Sequence, residues 1–373
     1  MAYYDTIRHA AVFAKQASAE KMENFESLYK APDFACGVSG WGRKHLFASR
    51  VLCSEPERRL PLFSKGELFP LSCNGVHVVI DGLVNGPQTP LMKMREPQIV
   101  RQYQPDSLGY IWAALAQLLQ KPQSSDQSSD RPVRERVPVN LYGNPVSSSS
   151  IQIGSSSPTR PESASTESSI GFVQELASPV LPVEDLTVRL ASRFIRCVVN
   201  YAQDIWEPFP CIYFRDQRRL SSFRTLDGQK VVRAIDDGGL LLDDGEEAVQ
   251  IAGLEGKRYF RSFAQDGVPT VSDQTLAQIV GQALAVGRTG EVIVAKDIIS
   301  ILVIRHYIKF IHVTISDEYL NTYEKLDLAA WGSTTAPYLT LDSTDWFDIG
   351  MADHRKEIIS HILAIMNWAN ANY

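Results

Sequence analysis

Two neighbouring stretches of the chain decide the fold. Residues 235–242 read Ile-Asp-Asp-Gly-Gly-Leu-Leu-Leu, and residues 254–258 read Leu-Glu-Gly-Lys-Arg. Because side chains alternate between the two faces of a strand, Glu255 and Lys257 project to the same side. The aspartates of the first stretch stand at a break in the preceding strand, where a bend can aim one carboxylate at Glu255. The pattern predicts a cluster of carboxylates and an ammonium on adjacent strands.

This cluster has the chemistry of a divalent-metal site. Two oxygen ligands from neighbouring strands suit Mg²⁺ or Mn²⁺ when waters and a phosphate fill the remaining positions. A metal held there would polarise the phosphate and lower the pKa of a bound water. Asp236 or Asp237, together with Glu255, are therefore the candidate metal ligands.

The elements around the cluster follow the order helix, three strands, helix, two strands. Acidic residues and proline in the first turn, and Asp-Gly pairs between the strands, mark the helix start and the turns. The predicted elements are a helix at 184–204, strands at 211–225, 230–242 and 248–258, a helix at 272–286, strands at 292–294 and 298–315 (broken at 305–306), and a final helix at 353–371.

This αβββαβ order, with an acidic residue at a strand break and Glu-x-Lys on the next strand, resembles the PD-(D/E)XK nuclease-like superfamily. The local sequence is similar to that of a group of PD-(D/E)XK-like proteins common in filamentous fungi. The similar segments are Asp236-Asp237-Gly238, Glu255-Gly256-Lys257-Arg258 and Leu276-Ala277-Gln278. The resemblance covers residues 171–373. It implies an α/β fold with a mixed sheet flanked by helices, and metal-dependent hydrolysis of phosphodiester bonds in nucleic acid.

The resemblance also implies roles for individual residues. Asp237, or its neighbour Asp236, and Glu255 would bind Mg²⁺ or Mn²⁺. Lys257 would position or deprotonate the attacking water. Gln278 matches the polar position that members of the superfamily place on the helix after the Glu-x-Lys strand.

Further features leave the activity open. Gln282 and Glu184 match additional polar and acidic positions less closely. No proline precedes the acidic residue, and two adjacent aspartates leave the alignment ambiguous by one position, which changes the face of the sheet. The alternative is a catalytically inactive scaffold of the same fold that acts as an interaction protein, with the Glu255–Lys257 pair as a plain ion pair.

The rest of the chain divides by composition. Residues 1–120 form an α+β region of unknown role, with a predicted helix at 4–29, a strand-like run at 76–80 and a helix at 110–119. Residues 121–170 are rich in serine and proline and cannot bury enough apolar surface to offset their ordering entropy, so we expect a disordered linker. Residues 171–373 form the nuclease-like domain.

Charge and motifs narrow the remaining classes. The net charge of −6 gives no broad basic field for nucleic acid, but residues 211–233 carry six basic and two acidic side chains.

Gly253-Leu254-Glu255-Gly256-Lys257 lacks the spacing and the following Ser or Thr of a nucleotide-binding P-loop. The five cysteines show no zinc or disulfide spacing. The apolar runs are too short to cross a membrane, so we expect a cytoplasmic or nuclear protein with no membrane partner.

Overall fold

The computed structural model describes residues 1–64, 77–119, 183–204, 206, 209–289, 296–326 and 336–373. The predicted linker, 121–170, and the predicted strand at 292–294 lie outside these residues. All described residues belong to one compact unit, which contains sequence from both sides of the predicted linker. Across these residues, no helix is both long and apolar enough to span a bilayer.

The described helices lie mostly in the amino-terminal part of the chain, before the run of strands that begins at residue 211. The α-helices are α1 (Tyr3–Thr6), α2 (Ala10–Ala19), α3 (Phe25–Lys30), α4 (Arg43–Ala48), α5 (Pro61–Ser64), α6 (Val78–Asn85), α7 (Glu96–Gln102), α8 (Asp106–Leu119), α9 (Val183–Ala202), α10 (Asp273–Thr289), α11 (Asp317–Thr322) and α12 (Ala352–Asn372).

The strands form one large sheet and two small ones. They are β1 (Val51–Cys53), β2 (Cys211–Arg215), β3 (Leu220–Arg224), β4 (Val231–Ile235), β5 (Gly238–Asp243), β6 (Ala248–Lys257), β7 (Ser262–Phe263), β8 (Pro269–Thr270), β9 (Asp297–Ile304), β10 (Tyr307–Thr314), β11 (Leu339–Ser343) and β12 (Phe347–Asp348).

The large sheet is mixed and has eight strands in the described chain. Its order is β1-β11-β10-β9-β6-β5-β2, with β12 beside β10. The pairs β1–β11 and β6–β9 are parallel, and the other neighbours are antiparallel. Because parallel neighbours need a crossover, α10 carries the chain from β6 to β9. The chain is thus a mixed α/β protein whose sheet is flanked by helices.

Two apolar cores cover the two faces of this sheet. Side chains at 299, 301 and 303 of β9 enter one core with α6, α8, α9 and α12. Side chains at 302 and 304 enter the other core with α1–α4 and α10. This alternation is the period of two that a strand buried on both faces requires. Burial on both faces explains the apolar run at 298–304, in which Ser300 is the one polar residue.

The carboxy-terminal elements follow the predicted order, but two of the predicted strands are each interrupted. The helices at 184–204, 272–286 and 353–371 and the strand run at 298–315, broken at 305–306, are confirmed. The predicted strands at 211–225 and 230–242 each divide in two, because the chain leaves the sheet after Arg215 and returns at Gly238. The residues between form β3 and β4, a separate two-stranded ribbon.

Two predictions for the amino-terminal region are wrong. The single helix predicted at 4–29 is three helices, α1 to α3, with non-helical residues between them. The strand predicted at 76–80 is helical from Val78 onward, while Val76 lies outside the described residues. The ring of His77 accepts the Val79 N–H at 3.2 Å and caps this helix, and Val79, Ile80 and Leu83 are buried at helical spacing.

Candidate active site

Glu255 and Lys257 form a buried ion pair near the end of β6. Their side chains lie on one side of the strand, and Nζ of Lys257 is 2.6 Å from Oε1 of Glu255. The Glu255 side chain is 1% exposed and that of Lys257 is 14% exposed. Burial to this degree is unlike a surface ion pair, in which solvent screens both charges.

Two glutamines of α10 hold the Glu255 carboxylate in place. Nε2 of Gln278 donates to Oε1 at 2.8 Å, and Nε2 of Gln282 donates to Oε2 at 2.6 Å. The two glutamines are four residues apart, so they share one face of the helix. Gln282 also donates to the carbonyl oxygen of Ile235 at 2.9 Å, which ties the carboxylate to the end of β4.

Asp237 lies beside Glu255 on the neighbouring segment. Its Oδ2 accepts the N–H of Gly256 at 3.0 Å, and its own N–H donates to the carbonyl oxygen of Leu254 at 3.0 Å. Nη2 of Arg218 is 3.2 Å from Oδ1. The break in the strand therefore places a second buried carboxylate against the Glu-x-Lys segment.

Asp236 is engaged on the other side of the chain. Its Oδ2 is 2.6 Å from Nη2 of Arg215, and its Oδ1 accepts the Arg219 N–H at 2.9 Å. It also lines a cavity of about 20 Å³, which has room for about one water molecule. Of the two candidate aspartates, Asp237 accompanies Glu255, whereas Asp236 is neutralised by an arginine.

The buried charges of the cluster perturb one another. Burial raises the pKa of Glu255 to about 7; the ammonium of Lys257 opposes this shift and the carboxylate of Asp237 adds to it. Burial alone would lower the pKa of Lys257, but attraction to Glu255, Glu184 and Asp237 outweighs it and leaves that pKa above its usual value. Lys257 is therefore protonated at neutral pH.

Glu184 completes the electrostatic surroundings from the first turn of α9. It is buried, and burial raises the pKa of its carboxyl, with Lys257 opposing and Asp237 adding to the shift. The sequence pointed to Glu184 only through the resemblance. Its influence on Lys257 and Asp237 places it in the same electrostatic environment.

The donor set suits a hard cation and is small. Within the described residues, no group of three or more His, Cys, Asp or Glu side chains is arranged to hold a metal ion. Asp237 and Glu255 offer carboxylate oxygens, the ligand type that Mg²⁺ and Mn²⁺ prefer, and Mg²⁺ sites commonly keep several waters and substrate phosphates. With two carboxylates from this chain, a bound metal would take its remaining ligands from water and phosphate.

Two arginines of the site were not singled out from the sequence. Arg215 neutralises Asp236, and Arg218 covers Asp237 with a side chain that is 44% exposed. Both belong to the basic run at 215–219, where the prediction registered the charge and not the partners. The arginines precede β3 and the aspartates follow β4. The ion pairs therefore form where the chain enters and leaves the ribbon, at the break at 236–237.

Comparison with known proteins adds no relative: no protein-family model, no curated protein and no solved structure matches this chain significantly.

Proposed function

We propose that this protein is a metal-dependent phosphodiester hydrolase of the PD-(D/E)XK type that acts on nucleic acid. The observation that carries the proposal is the buried set formed by Asp237, Glu255 and Lys257 on adjacent strand ends. Burying like charges together is destabilising, and groups arranged to perturb each other's pKa values cluster at functional sites.

The topology supports the same proposal. The order α9, β2, β5, β6, α10, β9 is αβββαβ once the two small sheets, β3–β4 and β7–β8, are treated as insertions. Three antiparallel strands are followed by a crossover helix and a parallel strand. The acidic residue precedes the second core strand, and Glu-x-Lys lies at the end of the third, as the resemblance implies.

The residues divide the work by their chemistry. Asp237 and Glu255 would hold Mg²⁺ or Mn²⁺, which supplies charge stabilisation at the phosphate and lowers the pKa of water. Gln278 and Gln282 fix the orientation of the Glu255 carboxylate through donors to both of its oxygens. Lys257, being protonated, would orient the attacking water or donate a hydrogen bond to a phosphate oxygen.

One observation favours the inactive scaffold as a second candidate. Both oxygens of Glu255 already accept hydrogen bonds, and Arg218 covers Asp237. A metal must compete with the ammonium of Lys257 and the guanidinium of Arg218. If it does not, the same residues form a closed ionic network whose role is structural.

Cleavage of a supercoiled plasmid and of a mixed RNA substrate by the full chain, with Mg²⁺, Mn²⁺ or EDTA, tests the proposal. We expect cleavage with metal only, and a loss of at least about 100-fold in Lys257→Met, the usual scale for removing one hydrogen-bond donor to the transition state. Lys296→Met is the matched control, because Lys296 is an exposed lysine paired with exposed Asp317. Equal cleavage by both variants, or none by wild type, would favour the scaffold.

A further inference from the structure

The β3–β4 ribbon has an outward face that the apolar cores do not use. The inward side chains at 221, 223, 232 and 234 are buried, and the ribbon packs on α10. The outward side chains, here called the ribbon face, are Leu220, Ser222, Arg224, Val231, Arg233 and Ile235; Val231 is half-buried and the other five are exposed.

The ribbon face is basic toward its tip and apolar at its base. No acidic side chain of the described residues forms an ion pair with Arg224 or Arg233. Asp227 in the tip is already bonded to the Thr225 hydroxyl at 2.7 Å and to the Gln229 N–H at 3.0 Å. The ribbon face therefore presents positive charge in a chain whose net charge is −6.

Two apolar side chains lie opposite each other at the base of this face. Leu220 is 59% exposed, Ile235 is 47% exposed, and the two residues are direct partners in the ribbon. Exposed apolar surface rimmed by polar side chains is typical of interaction sites, so the position of this pair beside a basic surface points to an occupant that covers it.

The ribbon begins and ends at the candidate active site. Its last residue, Ile235, directly precedes the two aspartates, and its carbonyl oxygen accepts from Gln282, which also holds Glu255. The distance from Leu220 to Arg224 along the strand is about 14 Å at the usual rise. That length covers about four base pairs of duplex DNA, which rises about 3.4 Å per pair.

We propose that the ribbon face is the docking surface for double-stranded DNA, with β3 and β4 lying in the major groove and the cleaved phosphate beside Asp237. This rests on the proposed function, since it assigns the substrate class of the same site. A two-stranded ribbon fits the major groove of B-form DNA, where aliphatic side chains contact thymine methyl groups. Arg224 and Arg233 neutralise backbone phosphates, a contact that releases counterions.

The form of the duplex follows from the same geometry. The major groove of A-form RNA is deep and narrow and does not admit a ribbon of this width. Single strands offer no groove, and proteins bind them through grooves and stacked aromatic rings rather than a flat basic ribbon. Duplex DNA is therefore the expected preference over both.

Fluorescence anisotropy of a labelled 20-base-pair duplex tests the proposal, with the full chain in EDTA so that no hydrolysis occurs. We expect Arg224→Ala/Arg233→Ala to weaken duplex binding by at least about tenfold at moderate salt. The slope of log affinity against log salt should fall by about 1.8, the value for two lost phosphate contacts. Lys93→Ala/Arg101→Ala is the control, because it removes two exposed charges from elements that pack on the opposite face of the sheet.

The proposal is overturned if the two double variants bind equally well, if wild type binds no duplex, or if wild type prefers double-stranded RNA or single strands. Thermal melts of both variants check that each one folds, and Arg224→Lys/Arg233→Lys should keep most of the affinity because it keeps the charges. A parallel Mn²⁺ titration separates the two claims. Metal binding without duplex binding contradicts the ribbon proposal alone, and duplex binding without metal binding contradicts the hydrolase alone.

Discussion

Two buried lysines on the large sheet have opposite surroundings. Lys257 lies among the carboxylates of Glu255, Glu184 and Asp237, which hold its pKa above the usual value. Lys309 on β10 is 1% exposed and donates to the Tyr4 hydroxyl at 3.1 Å and to the carbonyl oxygen of Thr344. Burial lowers its pKa to about 7 despite attraction to Asp345.

The difference separates a structural lysine, Lys309, from Lys257, to which we assign a role in the proposed hydrolysis. Lys309 contacts neutral oxygens and the rings of Tyr4 and Trp346. Because no buried carboxylate of the described residues pairs with it, burial makes its ammonium lose its proton readily. Lys257 is kept charged by carboxylates that are themselves expensive to bury. A fold has no structural need for such a cluster, since an apolar set of similar volume is often as stable.

The largest expected effect concerns Lys309. Its folded pKa of about 7 lies below the usual 10.5, so stability from the neutral form is present above pH 10.5 and is lost as the pH falls to 7. The free energy of unfolding of wild type relative to Lys309→Met should therefore rise between pH 7 and 10.5, by up to about 5 kcal/mol. Urea unfolding across this range measures the difference; a flat difference would show that Lys309 keeps its proton.

Lys257→Met should destabilise the protein at neutral pH. Removing the ammonium leaves the buried carboxylate of Glu255 without its cation, which costs about 3–5 kcal/mol when the carboxylate is ionised. The cost should be much smaller at pH 5, where Glu255 is neutral, and should shrink in Glu255→Gln/Lys257→Met. Urea unfolding of the four proteins of this cycle at pH 5 and pH 8 tests the prediction, and a pH-independent cost would contradict it.

Glu255→Gln should show how much the buried carboxylate lowers the free energy of unfolding. The folded pKa of Glu255, about 7, lies above the ordinary 4.5, so its stabilising contribution is complete below pH 4.5 and is lost as the pH rises through 7. Wild type should lose stability relative to Glu255→Gln over that range, by up to about 3 kcal/mol. Glu246→Gln, in an exposed turn, is the control and should show no such trend.

The smallest expected effect is that of Arg218→Ala. The guanidinium competes with a metal for Oδ1 of Asp237, and its side chain is 44% exposed, so solvent weakens the pair. Removing it should tighten Mn²⁺ binding several-fold, which corresponds to about 1 kcal/mol. Arg261→Ala, which removes an exposed arginine elsewhere, should leave the affinity unchanged; weaker binding in Arg218→Ala would mean that Arg218 supports the metal site instead.

Local periodicity predicted most of the carboxy-terminal elements and the Glu255–Lys257 pair. Two-residue alternation on β6 and the Asp-Gly turn before it are local signals that do not depend on the rest of the fold. Periodicity failed at 76–80, where a β-branched run forms α6 because its buried side chains follow helical spacing and His77 caps it.

Local sequence signals do not predict which distant strands pair with each other. Residues 51–53 of β1 pair with 339–341 of β11, and no feature of either segment names its partner. Which of Asp236 and Asp237 lies beside Glu255 depends on a one-residue register. In the folded chain Arg215 pairs with Asp236 and Arg218 with Asp237, contacts that no local signal predicts. The site's residue types were therefore predictable, while its exact membership required the fold.

The most direct test of the central claim is calorimetric titration of Mn²⁺ into wild type, Asp237→Asn, Glu255→Gln and Asp236→Asn. Each titration is run with and without dimethyl phosphate, a phosphodiester too small to span the ribbon face. The account predicts binding to wild type and to Asp236→Asn, and loss of binding in Asp237→Asn and Glu255→Gln. Wild type that binds no Mn²⁺ under either condition, or that depends on Asp236 and not on Asp237, would contradict it.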